Sequence, residues 1–300
     1  MPITKLDQIF DVLKSRPKKR LVAAWAVDSH TVVAVAEAIK IGIIDGILVG
    51  DTNMINDICQ KEQIDPAIFR IVHETDDIAA AAKAVAMINA GEGDFLMKGL
   101  LSTDRYMRAI LNKEVGMMNP GAVLSHVTVI EPPAYHKLLA VGDVAIIPAP
   151  DLAQKTAILN YLIKVSKLLG IERPKVGILA PSEQVLPKVP SSVEASILSK
   201  MNHRGQIKDA IVEGPLGMDV IIDKESADIK GLKSEVCGDA DCILFPAIEA
   251  GNVFYKTMTK FCGANLCAIV MGARVPAVLS SRGDSEQTKL YSIALAALMA

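Results

Sequence analysis

The sequence predicts an α/β fold with a mainly parallel sheet, built as two α/β lobes with a cleft. Three observations predict it. Apolar runs of strand length alternate with stretches of helical period along the whole chain. Glycines stand just past several helical stripes, where a left-handed residue ends a helix. No repeat, low-complexity tract or long flexible linker separates independent pieces.

Taken in order, strands are expected at 21–26, 47–49, 69–72 and 95–97. Between them lie helices at 31–41, closed by Gly42, at 53–61, and at 76–90, closed by Gly91. From residue 122 the texture changes. Longer strands are expected at 122–130 and 137–148, joined by Glu131-Pro132-Pro133, a prolyl pair that no central strand can hold. A long helix over 151–169 follows, then a strand at 176–179, a helix near 191–200, and strands at 220–222, 242–245 and 266–270. The chain ends with a strand at 277–280 and a helix at 285–299, in which Leu290, Ile293, Ala294, Ala297 and Leu298 form one apolar stripe.

Composition narrows the function. Apolar residues are 51% of 300, enough for a sizeable core, and 32 basic against 34 acidic side chains leave no cationic footprint for nucleic acid. No apolar stretch approaches the roughly 18 residues of a membrane span. The first residues, Met1-Pro2-Ile3-Thr4-Lys5, lack a secretion pattern, and with five cysteines they suggest reduced thiols in a cytoplasm. Cys237, Cys242, Cys262 and Cys267 form two equally spaced pairs, but at the loose end of zinc-ligand spacing and in strand-like apolar surroundings. They read as core, with no metal.

Three segments carry candidate chemistry. The first is a strand, a hydroxyl- and glycine-containing turn and a helix start at 276–287, where Ser281 and Arg282 suit phosphate oxygens at a helix N-terminus. A structured turn with a solvated arginine accounts for the same residues, and Asp284 with Gln287 fits a capping box. The second is 241–256: a buried strand, then a helix expected to begin near Gly251-Asn252. Asn252 is then the N-cap and Lys256 lies one turn on, facing an anion held there or simply solvent. The third is 94–108. A strand ends at Lys98-Gly99, Ser102 or Thr103 caps a helix, and Arg108 sits in its second turn. A basic residue so near a helix N-terminus opposes the dipole, so an anionic ligand or a neighbouring carboxylate must offset it. His126 reads as a satisfied, half-buried residue. Walker, dinucleotide, zincin and nucleophile-elbow motifs are missing from the sequence.

Together these segments resemble the phosphate acetyltransferase and phosphate butyryltransferase family, and look closest to its butyryltransferase branch. The matching stretches run in family order: Ile47-Leu-Val-Gly-Asp51, Met97-Lys-Gly-Leu100, Arg108 through Gly116, Leu124-Ser-His-Val127, Leu198-Ser-Lys-Met201, Arg204-Gly-Gln-Ile-Lys208, Ile248-Glu through Gly251-Asn-Val and Tyr255-Lys256, then Ser281-Arg282, Asp284-Ser285, Lys289 and Ser292 to Ala296.

The resemblance implies a fold like the isocitrate and isopropylmalate dehydrogenases, with residues 1–123 plus 276–300 as one lobe, 124–275 as the other, and the site in the interlobe cleft. It implies a homo-oligomeric acyltransferase exchanging a butanoyl group between coenzyme A and phosphate, without metal or nucleotide cofactor. Ser281 and Arg282 would be catalytic; Arg108, Lys98, Gly251, Asn252 and Lys256 would bind substrate. Acetyl-type members carry an aspartate seven residues after the serine, where this chain has Thr288, so no general base is assigned. Ala247 and Ala250 also depart from the usual butyryl-type loop. The alternatives are a phosphate acetyltransferase, a metal- and NAD-dependent decarboxylating dehydrogenase of similar fold, and an anion-binding module without turnover.

Overall fold

A computed structural model describes residues 2–280 and 284–300. The chain divides into two compact units. One comprises Leu6–Leu124 with Cys267–Ala300, the other Ser125–Leu266 with the N-terminal residues up to Lys5. The expected return at 276 therefore comes earlier, at 267, because the strand there hydrogen-bonds to the returning segment.

The first unit begins with α1 (Gln8–Lys14), β1 (Lys19–Ala24), α2 (Ser29–Ile41), β2 (Ile44–Gly50), α3 (Thr52–Lys61), β3 (Phe69–His73), α4 (Asp77–Asn89), β4 (Phe95–Lys98) and α5 (Thr103–Leu111). Aspartates cap the helices that leave these strands: Asp28 accepts from Thr31 N at 2.9 Å, Asp51 from Asn53 N at 2.8 Å, and Asp76 from Ala79 N at 2.8 Å. Each cap contributes about 1 kcal/mol and fixes where the chain turns off the sheet.

The second unit holds β5 (Ser125–Glu131), β6 (Leu139–Gly142), α6 (Leu152–Leu168), β7 (Lys175–Leu179), α7 (Pro190–His203), β8 (Ile211–Leu216), α8 (Met218–Ile222), α9 (Lys224–Ile229), β9 (Cys242–Leu244) and α10 (Ile248–Lys260). The chain then returns to the first unit through β10 (Asn265–Met271), β11 (Ala277–Val278) and α11 (Glu286–Met299).

In the first unit the strand order is β3-β2-β1-β4-β11-β10, parallel except for β10, which runs antiparallel to β11. In the second it is β5-β6-β9-β7-β8, parallel except between β5 and β6. Both cores are aliphatic, as two-sided burial of parallel strands requires: β1 buries Leu21, Val22, Ala23 and Ala24, and β9 buries Cys242, Ile243 and Leu244.

Several expectations need correction. The strand expected over 137–148 stops at Gly142, because the Asp143 carboxylate accepts from Ala145 N and Ile146 N at 2.7 and 2.9 Å and turns the chain. Residues 220–222 belong to α8, and the strand is instead β8, whose Gly214-Pro215 is tolerated because β8 lies at the sheet edge. Helix α10 starts at Ile248 after an uncapped Ala247, so Asn252 lies in its second turn and is no N-cap. The last helix is capped by Ser285, which accepts from Thr288 N at 3.1 Å, and not by Asp284. Cys237, Cys242 and Cys267 are buried but Cys262 is exposed, so it does not belong to the core. Among the described residues no three His, Cys, Asp or Glu side chains cluster as metal ligands, and no helix is long and apolar enough to cross a membrane.

At the amino ends of the second unit's central strands, Asp239 accepts from Lys137, Lys175 and His136 at 2.8, 2.5 and 2.7 Å. Burial alone would raise its pKa, but these hydrogen bonds outweigh it and hold the carboxyl well below the usual range. A depressed carboxylate stabilises the fold above its unfolded value, near 3.9, and that contribution is lost as pH falls through the folded value. Thermal melts should therefore show Asp239→Asn less stable than wild type at pH 7. The gap should narrow progressively below about pH 4. A gap constant with pH would show that packing, and not charge, accounts for the loss.

Candidate functional site

In the first unit the strand order reverses between β1 and β4: the chain steps outward to β2 and β3, then returns to β4 on the other side. Such a switch point leaves a crevice at the carboxyl edge of the sheet, where ligands bind in open α/β folds. Here the two loops are drawn tightly together. Gly99 N donates to Ala24 O and Leu100 N to Trp25 O, both at 2.9 Å. Trp25 has a left-handed backbone, φ +56°, a strained conformation costing of order 1–3 kcal/mol that the flanking hydrogen bonds must hold. A Cβ at position 99 would stand 2.2 Å from Trp25 O, so only glycine fits.

Lys98, the last residue of β4, is only 6% exposed. Its ammonium donates to Gly99 O and Leu101 O, each at 3.0 Å, so the turn after β4 curls around a buried positive charge. β11 runs parallel to β4 with Val278 opposite Met97, and Ser280 therefore leaves the sheet beside Lys98 and Gly99. Ser281 and Arg282 follow Ser280 in sequence and lie outside the described residues. Lys289 of α11 is 8% exposed, with Nζ 3.5 Å from Ser280 Oγ. The first turns of α2 and α11 are joined by His30 Nδ1 and Glu286 Oε1 at 3.1 Å. Close by in the sequence of α2, Asp28 Oδ2 and Thr31 Oγ1 are buried with no hydrogen-bond partner among the described residues.

Arg108 is placed differently. It lies in the second turn of α5, as expected, but is exposed and pairs with Asp104 at 2.9 Å one turn earlier. Because α5 has only nine residues, this second turn is also its last, where a basic residue suits the helix dipole, so the expected conflict with the dipole does not arise.

The second unit gathers Gly251 and Asn252 around one turn. The Asp143 carboxylate, 2% exposed, accepts from Ser125 Oγ, His126 N, Ala145 N and Ile146 N at 2.7–3.1 Å. Four donors satisfy this charge completely, and they fix the Asp143–Val144 turn. α10 is seated on that turn: Asn252 Nδ2 donates to Val144 O at 3.2 Å, and a Cβ on Gly251 would meet Asp143 O at 2.2 Å. Lys256 is exposed, with Nζ 4.9 Å from the centroid of the Tyr255 ring. His126 is buried, not half-buried.

Sequence reasoning gave no role to Asp143, and named Lys289 only as a residue matching the family. Both carried a signal. Asp143 interrupts an apolar run expected to be one long strand, and Lys289 occupies the apolar stripe of the last helix, four residues before Ile293.

The family profile described as phosphate acetyl/butaryl transferase matches residues 52–297. A phosphate butyryltransferase from Clostridium acetobutylicum is 44% identical over 298 residues, 99% of either chain. A phosphate acetyltransferase from Thermotoga maritima is 37% identical over 298 residues, 98% of this chain and 99% of its own. Among solved structures, a branched-chain phosphotransacylase from Enterococcus faecalis V583 superposes with a TM-score of 0.82 at 30% identity, covering 94% of this chain and 98% of that one.

The seating of α10 gives a stability test. Gly251→Ala forces a methyl into a backbone carbonyl that cannot rotate away, so it should cost at least the ~1–3 kcal/mol of ordinary overpacking. Asn252→Ala removes one hydrogen bond from a residue exposed to water and should cost about 1 kcal/mol or less. Urea denaturation would rank the two; equal losses would mean that α10 is not seated by this close approach.

Proposed function

The chain belongs to the phosphate acetyl/butyryl transferase family, and from that premise we propose that its substrates are butanoyl-CoA and inorganic phosphate. It is an acyltransferase of the phosphate butyryltransferase type, exchanging an acyl group between coenzyme A and phosphate. The observation that carries the butanoyl reading is the 44% identity with a phosphate butyryltransferase along virtually the whole of both chains. Acetyl-CoA is the second reading, favoured by the likeness to a phosphate acetyltransferase at 37% identity.

The exchange asks for three things. A phosphate oxygen must be held against a thioester carbonyl, the tetrahedral oxyanion must find donors, and a thiolate must leave. Holding both reactants converts an encounter into a near-unimolecular step, supplying about 7–11 kcal/mol. Ser281, which follows Ser280 in the sequence, is the proposed oxyanion donor, a role for which one well-aimed group supplies about 2.7–4 kcal/mol. Arg282 presents a planar fork to phosphate. Lys98 supplies fixed positive charge at the carboxyl edge of β4, within the same unit. Arg108 is proposed to bind substrate by releasing Asp104, its carboxylate partner on α5. The proposed role of Gly251 and Asn252 is to set the position of α10, and that of Lys256 is to meet substrate phosphate from the exposed face of that helix. Neither a metal ion nor a nucleotide has a task in this chemistry. A cytoplasmic homo-oligomer with the two-lobed arrangement of the isocitrate and isopropylmalate dehydrogenases is the accompanying inference, and its support is the family resemblance.

Phosphate-dependent release of free thiol, followed over acyl lengths, is the test. kcat/KM should be higher for butanoyl-CoA than for acetyl-CoA by roughly 30-fold, since each buried methylene contributes about 1 kcal/mol. Ser281→Ala should lower kcat by about 10²–10³ with little change in KM, and Arg282→Lys should raise the phosphate KM. Activity should survive chelators. No thiol release from either thioester would sink the function; equal rates with both would move the substrate to the acetyl class.

A further inference from the structure

Lys289, 8% exposed, is a buried charge that the exchange chemistry above leaves unused. It stands on the apolar face of α11, between Ser285 and Ser292, both of which are occupied in helix and strand hydrogen bonds. Its Nζ has one hydrogen bond among the described residues, to Ser280 Oγ at the long distance of 3.5 Å. No carboxylate there comes within ion-pair distance of it: Glu286, one turn earlier, is engaged with His30, and Asp28 caps α2. The contrast with Asp143 is direct, since that carboxylate is also buried but has four donors around it.

Taking an ammonium out of water costs several kcal/mol unless an opposite charge or enough acceptors replace the water. One distant hydroxyl does not. The chain nevertheless places this lysine beside Ser280, at the carboxyl edge of the sheet. A buried lysine with no counter-charge among the described residues is offset when an anion binds.

We propose that Lys289 is the buried cation of an anion subsite at the carboxyl edge of β4 and β11, and that its ligand is the phosphate dianion which this enzyme exchanges. The inference rests on the proposed function for the identity of the anion, and on geometry for the existence of the subsite. Lys98, with the turn after β4 wrapped around it, lines the same edge. Ser280 Oγ orients the ammonium between them.

Calorimetric titration of the ligand-free protein with inorganic phosphate, and separately with coenzyme A, decides the matter. In Lys289→Met the phosphate Kd should rise by roughly 30-fold or more, the usual consequence of removing one partner of a desolvated charge pair. Lys289→Gln, which keeps a donor for Ser280 but drops the charge, should lose phosphate affinity to a similar degree. Coenzyme A affinity should stay near that of wild type in both. Without ligand, the Tm of Lys289→Met should equal or exceed that of wild type, because an uncompensated buried charge has been removed.

Four results would overturn the proposal. They are an unchanged phosphate Kd in both variants, binding kept by Lys289→Gln alone, a loss that falls on coenzyme A and spares phosphate, or failure of both variants to fold. The second would make Lys289 a positioning residue for Ser280, the third would assign the charge to a phosphate of coenzyme A, and the last would make it structural. Phosphate binding needs no turnover, so a chain that binds phosphate through Lys289 but releases no thiol would defeat the proposed function and leave this inference standing.

Discussion

The parallel pairing of β4 with β1 on one side and β11 on the other is the constraint from which the first unit's site follows. Parallel register brings strand ends to a common edge. With Ala24 opposite Lys98 and Met97 opposite Val278, Trp25, Lys98, Gly99 and Ser280 have to emerge there together. Nothing in their sequence separation suggests it: Ser280 arrives from more than 180 residues beyond Lys98. The cost of gathering them is visible in the backbone. Trp25 takes a left-handed conformation and Gly99 passes where no side chain fits, because the hydrogen bonds to Ala24 O and Trp25 O hold the two loops in contact. Strain concentrated at an edge that also holds buried charge is the usual mark of a functional site.

The two units spend buried polar groups in opposite ways. In the second, Asp143 is completely satisfied by local donors, and its task is architectural: it ends β6, shapes the following turn and offers the carbonyls on which α10 is seated. Replacing any of its donors would expose a buried charge, a loss of stability before any loss of chemistry. In the first unit, Lys98 donates to two carbonyls and, among the described residues, Lys289 to a single hydroxyl. Burial strengthens the pull of such an ammonium on any anion that reaches it, because less water screens the charge.

The alternation of strands and helices was legible because it depends on local hydrophobic period and on caps such as Asp28, Asp151 and Gly42, which act within a few residues. The errors share a different cause. β8 carries Glu213, Gly214 and Pro215 and looks like a loop; it is a strand because it lies at an edge, a fact decided by tertiary pairing. Asn252 has the chemistry of an N-cap, yet α10 begins one turn earlier without one, since the fixed turn at Asp143 seats the helix through Gly251. Arg108 was placed correctly on its helix, but its partner Asp104 could be named only once side-chain rotamers were known. Lys98 was read as a strand-end residue of the family motif. Its burial and its hydrogen bond to Leu101 O are invisible in the local pattern. Ser281 and Arg282 rest on the family resemblance and on their place directly after Ser280.

Thr288 sharpens what kind of chemistry this edge supports. The family resemblance implies a carboxylate at that position in acetyl-type members; here its backbone N–H donates to Ser285 Oγ and its side chain lies 3.1 Å from the same hydroxyl. Thr288 is therefore spent on capping α11 and has no proton-accepting role to give. The next residue, Lys289, turns inward. Where one branch of the family presents a negative base, this chain presents a hydroxyl followed by a buried positive charge. A base removes the thiol proton directly. A cation acts in general from the other side, by steadying negative charge as it develops, and it does so most where water is excluded. Lys98 and Lys289, 6% and 8% exposed, meet that condition.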